Sequence, residues 1–123
     1  MTPINRDYNL YIEEMLTSML RIEEYIGKMG FNEFKMNYLI VDAIIRNFEI
    51  IGEASKNVPS EIKDKYSEIP WKKMYGLRNL IAHEYFGIDY EMIWEISKND
   101  LPQNAIDIKN IIKKEKSKGG NNT

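Results

Sequence analysis

Apolar residues recur along this chain with the period of a helix. Tyr8, Ile12, Met15, Met19, Ile22, Ile26 and Met29 are spaced 4-3-4-3-4-3, which places them on one stripe of a long first helix; Leu16 and Leu20 widen the stripe. Gly27 and Gly30 end it. A second helix is predicted from roughly Glu33 to Asn57. It is apolar on most sides, and its polar residues Asp42, Arg46, Glu49 and Glu53 again fall at 4-3-4 spacing. This narrow charged stripe has two open readings. It is either a solvent-facing strip with Asp42–Arg46 and Arg46–Glu49 as local ion pairs, or one wall of a cleft.

Pro59 and Pro70 bracket a short helical turn that Ser60 could cap, and Pro70 suits the first position of a further helix through Trp71, Met74, Leu77, Leu80 and Ile81. Gly76 lies inside that helix, where a glycine weakens it by up to ~1 kcal/mol and is tolerable where another backbone or a ligand must approach closely. Gly87 is a natural stop and Asp89 a natural N-cap for "YEMIWEISKN". Leu101, Ala105, Ile108 and Ile112 mark a last helix, with Asp100 as its candidate cap and Pro102 in its first turn. No segment shows strand alternation. The expectation is an all-α bundle of four to five helices in one domain, residues 1–116, with a disordered tail at 117–123.

Composition narrows the chemistry. The chain has 123 residues and no cysteine, which excludes disulfides, thiolate metal sites and cysteine nucleophiles and suits a cytoplasmic location. No apolar run approaches a membrane span, and no secretory signal pattern opens the sequence. The net charge of −2 rules out a generically basic nucleic-acid binder. From Pro102 onward five lysines against Asp107 and Glu115 give +3, which leaves −5 on residues 1–101. Any RNA contact therefore needs a local basic patch, with Lys72 and Lys73 as first candidates and Lys56, Lys63 and Lys65 nearby.

The candidate chemistry sits in "GLRNLIAHEYFGID", residues 76–89, which holds the single histidine. Arg78 and His83, five apart, are separated by about 140° on an ideal helix, whereas Asn79 and His83 share a face. Asn79 can therefore orient the imidazole, and Arg78 must reach round, or the helix loosen, or a second chain complete the site. The pair suits one reaction: a histidine that takes the 2′-hydroxyl proton of RNA and an arginine that stabilises charge on the phosphate. Neither a metal nor another cofactor is called for, since no His and carboxylate cluster is present and "HEY" is not a zinc-protease motif. With one histidine per chain, a two-fold dimer would supply two.

The string Arg78-Asn79-Leu80-Ile81-Ala82-His83 resembles the Arg-(Asn/Asp)-x3-His signature of the HEPN superfamily of all-α ribonucleases, and its extension through Glu84 to Tyr85 resembles the Arg-x4-His-x-Tyr form of HepT toxins. "AIIRNFEIIGEASKNVP", "IPWKKMYGLRN", "HEYFGID" and "DLP" are similar to that family in matching order, from about Arg6 to Leu101. The resemblance implies a homodimeric HEPN-like bundle with a metal-independent endoribonuclease site in the dimer cleft. Arg78 and His83 would be its catalytic pair, with Asn79 in support. It also implies a type VII-like toxin–antitoxin pair, in which a minimal nucleotidyltransferase antitoxin AMPylates Tyr85. The expected substrate is RNA, such as tRNA or mRNA. The alternative is a non-catalytic nucleotide-binding or docking module that partners the nucleotidyltransferase.

Overall fold

The first helix owes its place to its stripe. In the computed structural model, which describes residues 4–82, 87 and 89–121, α1 spans Ile4–Ile26. Tyr8, Ile12, Met15, Met19, Ile22 and Ile26 are all buried, and Met29 packs half-buried against them. Burying each such side chain is worth ~1.5–3 kcal/mol, so this one stripe is a large share of the core. Gly27 ends α1 with φ +47°, a left-handed turn that a β-carbon would strain.

The predicted second helix is two helices. α2 is Phe31–Met36 and α3 is Tyr38–Lys56. Asn37 separates them: its backbone leaves the helical region, and its side chain accepts a hydrogen bond from Ile40 N at 3.2 Å, capping α3. Val41, Ile44, Phe48, Ile51 and Ala54 of α3 enter the core against α1. Tyr38 and Leu39 do not; they stand 72% and 67% exposed, beside Met36.

α4, Ser60–Lys65, is one short turn. Its N-cap is Pro59 rather than Ser60, and no side chain caps it. α5 is Trp71–Ala82. Pro70 stands just ahead of it and accepts the hydrogen bond from Met74 N at 3.0 Å, one residue earlier than its expected place. The Trp71 indole N–H donates to Tyr66 O at 3.0 Å, which fixes where α5 begins. Met74 and Leu77 anchor α5 in the core, and its neighbour is α3.

Gly87 takes φ +103°, and Asp89 accepts from Met92 N at 3.0 Å to cap α6, Tyr90–Glu95, as the sequence predicts. α6 does not end in a loop. It passes through a π-helical turn, Ile96–Asp100, directly into α7, Leu101–Asn121. The expected cap at Asp100 is therefore absent, and Asp100 lies within the turn. The reason is Pro102, which lacks an N–H and whose ring would crowd the carbonyl of Lys98 in a regular helix. The wider turn, in which Leu101 N bonds Ile96 O, absorbs the mismatch without breaking the helix. The helical backbone of α7 reaches Asn121, into the segment assigned above to a tail.

α7 packs along α1, and a polar cluster ties the two together. Tyr8 and Tyr66 both donate to the carboxylate of Glu115, and Lys65 Nζ approaches it at 3.0 Å. The Glu115 side chain is only 9% exposed. Burial by itself would raise its pKa, but the hydrogen bonds from Tyr66, Tyr8 and Lys65 outweigh this and lower it to about 2. Burial and then the same carboxylate push the Tyr8 phenol up to about 12. Among the described residues there is no strand, and no helix is long and apolar enough to cross a membrane.

Two predictions follow from this packing. A β-carbon on Gly52 would lie 2.8 Å from Arg78 Cβ and 3.2 Å from both Arg78 N and Tyr75 O, whereas one on Gly76 would meet nothing within 4 Å. Gly52→Ala should lower stability by ~1–3 kcal/mol through overpacking, and Gly76→Ala should raise it by ~0.5–1 kcal/mol; denaturant titration of the two variants checks the contrast. Glu115 has a folded-state pKa below its ordinary value of 4.5, so its contribution is complete above that value and is lost as pH falls toward about 2. The melting temperature of Glu115→Gln should lie below wild type at neutral pH, and the gap should close across that acid window.

Candidate functional site

Arg78 sits in the C-terminal half of α5, where α5 crosses α3. Leu77 beside it is buried, so the helix is held down while Arg78 stays at the rim with 39% of its side chain exposed. Gly52 of α3 lies under the start of the arginine side chain. The glycine that permits close approach is thus Gly52, not Gly76 as the sequence suggests. Gly76 instead opens onto a groove on another side of α5.

Glu53, the next residue of α3, takes the far end of the same side chain. Its Oε2 lies 2.9 Å from Arg78 Nε. Both partners are substantially exposed, so the pair adds only about 0–1 kcal/mol to stability. Its main effect is geometric. The Tyr75 ring, one helical turn back, flanks the guanidinium, with Cζ 5.9 Å from the ring centre.

The charged stripe of α3 is resolved in part. Asp42, Arg46, Glu49 and Glu53 are all exposed, and Glu53–Arg78 is the one ion pair the stripe makes among the described residues. The Asp42–Arg46 and Arg46–Glu49 pairs that one of the two readings offered do not form among the described residues. The stripe continues backward through Leu39, so the exposed face of α3 is apolar at one end and ends on Arg78 at the other.

Asn79 is exposed beside Arg78. His83 and Tyr85 lie outside the described residues, and so does the expected Asn79–His83 hydrogen bond. Lys72 and Lys73 are both exposed but serve different faces. Lys72 is seven residues before Asn79, within about 20° of it around α5. Lys73 instead lines a groove of about 490 Å³ between α5, the π-turn and the start of α7, together with Gly76, Leu77, Ile96 and Asn104. Among the described residues no group of His, Asp and Glu side chains is arranged to hold a metal ion.

Asn47 is a residue that sequence reasoning passed over. It is buried on α3, its Nδ2 donates to Ala43 O at 2.8 Å, and its Oδ1 meets no partner among the described residues. In sequence it is one more polar residue beside Arg46 and Glu49, so nothing marked it as buried.

A family model described as ribonuclease HepT-like matches residues 15–115. The chain belongs to the HepT-like family. Three relatives align along 90% or more of their own length. A "Putative RNase" of Methanocaldococcus jannaschii is 42% identical over 98 residues, covering 80% of this chain and 90% of the relative. A "Putative RNase" of Caldanaerobacter subterraneus subsp. tengcongensis is 38% identical over 106 residues, covering 86% and 95%. The "Probable ribonuclease HepT" of Thermococcus cleftensis is 37% identical over 99 residues, covering 80% and 90%. No solved structure matches the chain. The HepT-like match takes in both sides of the crossing, Gly52–Glu53 on α3 and Arg78–Asn79 on α5.

Proposed function

We propose that this chain is a metal-independent endoribonuclease and the toxin of a HepT/minimal nucleotidyltransferase pair in the cytoplasm. The observation that carries the reading is Arg78: an exposed guanidinium, held at a helix crossing, inside the segment that matches a ribonuclease family. In this reading Arg78 binds the scissile phosphate of RNA and stabilises the charge that builds on it. His83 takes the proton from the 2′-hydroxyl, whose oxygen then forms a bond to phosphorus as the 5′-oxygen leaves. The products are a 2′,3′-cyclic phosphate and a 5′-hydroxyl, and the step consumes no metal or co-reactant. Asn79 supports His83, and Lys72, on the Asn79 side of α5, follows the RNA backbone.

A homodimer completes the site. One histidine cannot serve as both base and acid at once, and two facing chains bring two. The exposed Met36 at the end of α2 and Tyr38 and Leu39 at the start of α3 support a second copy covering this face. The antitoxin is a nucleotidyltransferase that attaches AMP to Tyr85, adding phosphate charge and bulk where RNA must enter.

One observation favours a second reading, a non-catalytic module that docks the nucleotidyltransferase. Asp42, Glu49 and Glu53 are exposed along α3, with Glu53 against Arg78, and repel a polyanion. The two readings separate on Lys72→Ala. It weakens RNA affinity and flattens its salt dependence if RNA is the ligand, and leaves antitoxin binding intact in either case.

RNA should be cleaved by the purified protein in EDTA, and Arg78→Ala or His83→Ala should each reduce the rate by at least ~100-fold with an unchanged circular dichroism spectrum. Cleavage that survives His83→Ala, or that requires a divalent ion, contradicts the mechanism. After co-expression with the cognate nucleotidyltransferase, mass spectrometry should find AMP on the peptide containing Tyr85 and none in Tyr85→Phe. An unmodified Tyr85 in neutralised protein contradicts the proposed regulation.

A further inference from the structure

An arginine that binds a phosphate has to hold a long side chain in one arrangement before the phosphate arrives. The half-exposed end of the Arg78 side chain stands outside the core. Two consecutive residues of α3 do it instead. Gly52 sits under the β-carbon, where any side chain would push α5 away, and Glu53 fixes the other end at Nε, 2.9 Å away. Tyr75 limits the sideways swing of the guanidinium.

We infer that Glu53 is a positioning residue for Arg78, acting with Gly52 as a two-point mount. The inference rests on the assignment of Arg78 to the scissile phosphate. Its chemistry follows from the atom involved. The closest contact is through the inner nitrogen, Nε, so this contact does not commit the outer edge of the guanidinium, whose two N–H groups match a pair of phosphate oxygens. The carboxylate also balances the arginine charge while the site is empty. The rival role for Glu53 is inhibitory: an acid that competes with phosphate for Arg78.

The test is steady-state cleavage of RNA in EDTA by the full-length chain and its variants. Glu53→Gln keeps the shape and loses the charge; it should lower kcat about tenfold, with KM and melting temperature close to wild type. Glu53→Asp should recover part of the loss, and added formate should partly restore Glu53→Ala, a rescue that a purely structural role for Glu53 would not show. Wild-type activity in Glu53→Gln, or a gain in activity, overturns the inference while leaving Arg78 in place, provided Arg78→Ala is inactive. If Glu53→Ala falls in activity but formate restores nothing, the mount is also overturned. If wild type does not cleave RNA, or Arg78→Ala still does, the assignment of Arg78 fails and the inference falls with it.

Discussion

The structure turns on how closely two helices can pass. α3 and α5 meet where Gly52 has no side chain, and Arg78 Cβ occupies the space one would need. Everything proposed for the site depends on that distance. It brings the charged stripe of α3 alongside the motif helix, puts Glu53 within reach of Arg78 Nε, and leaves the guanidinium at the protein's edge rather than beneath it. α3 itself is seated by α1, whose stripe from Tyr8 to Ile26 is buried along its centre. The start of α5 is tied down by Pro70, Trp71 and Tyr66. The core thus acts as a rigid platform whose end product is the placement of one exposed cation.

The faces of α5 divide the remaining polar groups. Asn79 and Lys72 lie along one exposed line, while Lys73 and Gly76 open onto the groove beside the π-turn. The acidic residues of α3 stand on the third side. For the polyanion proposed as ligand, the acids of α3 repel and the lysines of α5 attract, so charge favours an approach to Arg78 along the Lys72 side.

Where sequence reasoning succeeded, the signal was local and periodic. The 4-3-4-3 stripe of α1 and the Asp89 cap are written in neighbouring residues, and both appear in the structure. The family was legible because its motifs are contiguous strings in a fixed order. What escaped was non-local. Gly52 is one small residue in an apolar helix, and nothing near it in sequence announces that Arg78, a whole helix later, will lie against it. Gly76 drew attention only because it sits beside the motif. Glu53 could be placed on a charged stripe, but its partner could not be read from the α3 sequence, where i to i+4 pairing suggested Arg46 as the centre. Asn37 read as one more helical position because a cap and a mid-helix asparagine look alike without backbone angles. Pro102 was read as a helix start, because a proline in a helix interior normally ends it; the π-turn that accommodates it depends on packing.

The central claim is that Arg78 and His83 cut RNA through its own 2′-hydroxyl. The most direct measurement is end-group analysis of the cleaved products, with a matched substrate carrying 2′-deoxyribose at the cleavage position. The account predicts 2′,3′-cyclic phosphate and 5′-hydroxyl ends, formed in EDTA, and no cleavage at the deoxy position. Products with 3′-hydroxyl and 5′-phosphate ends, or cleavage that ignores the deoxy substitution, would contradict it.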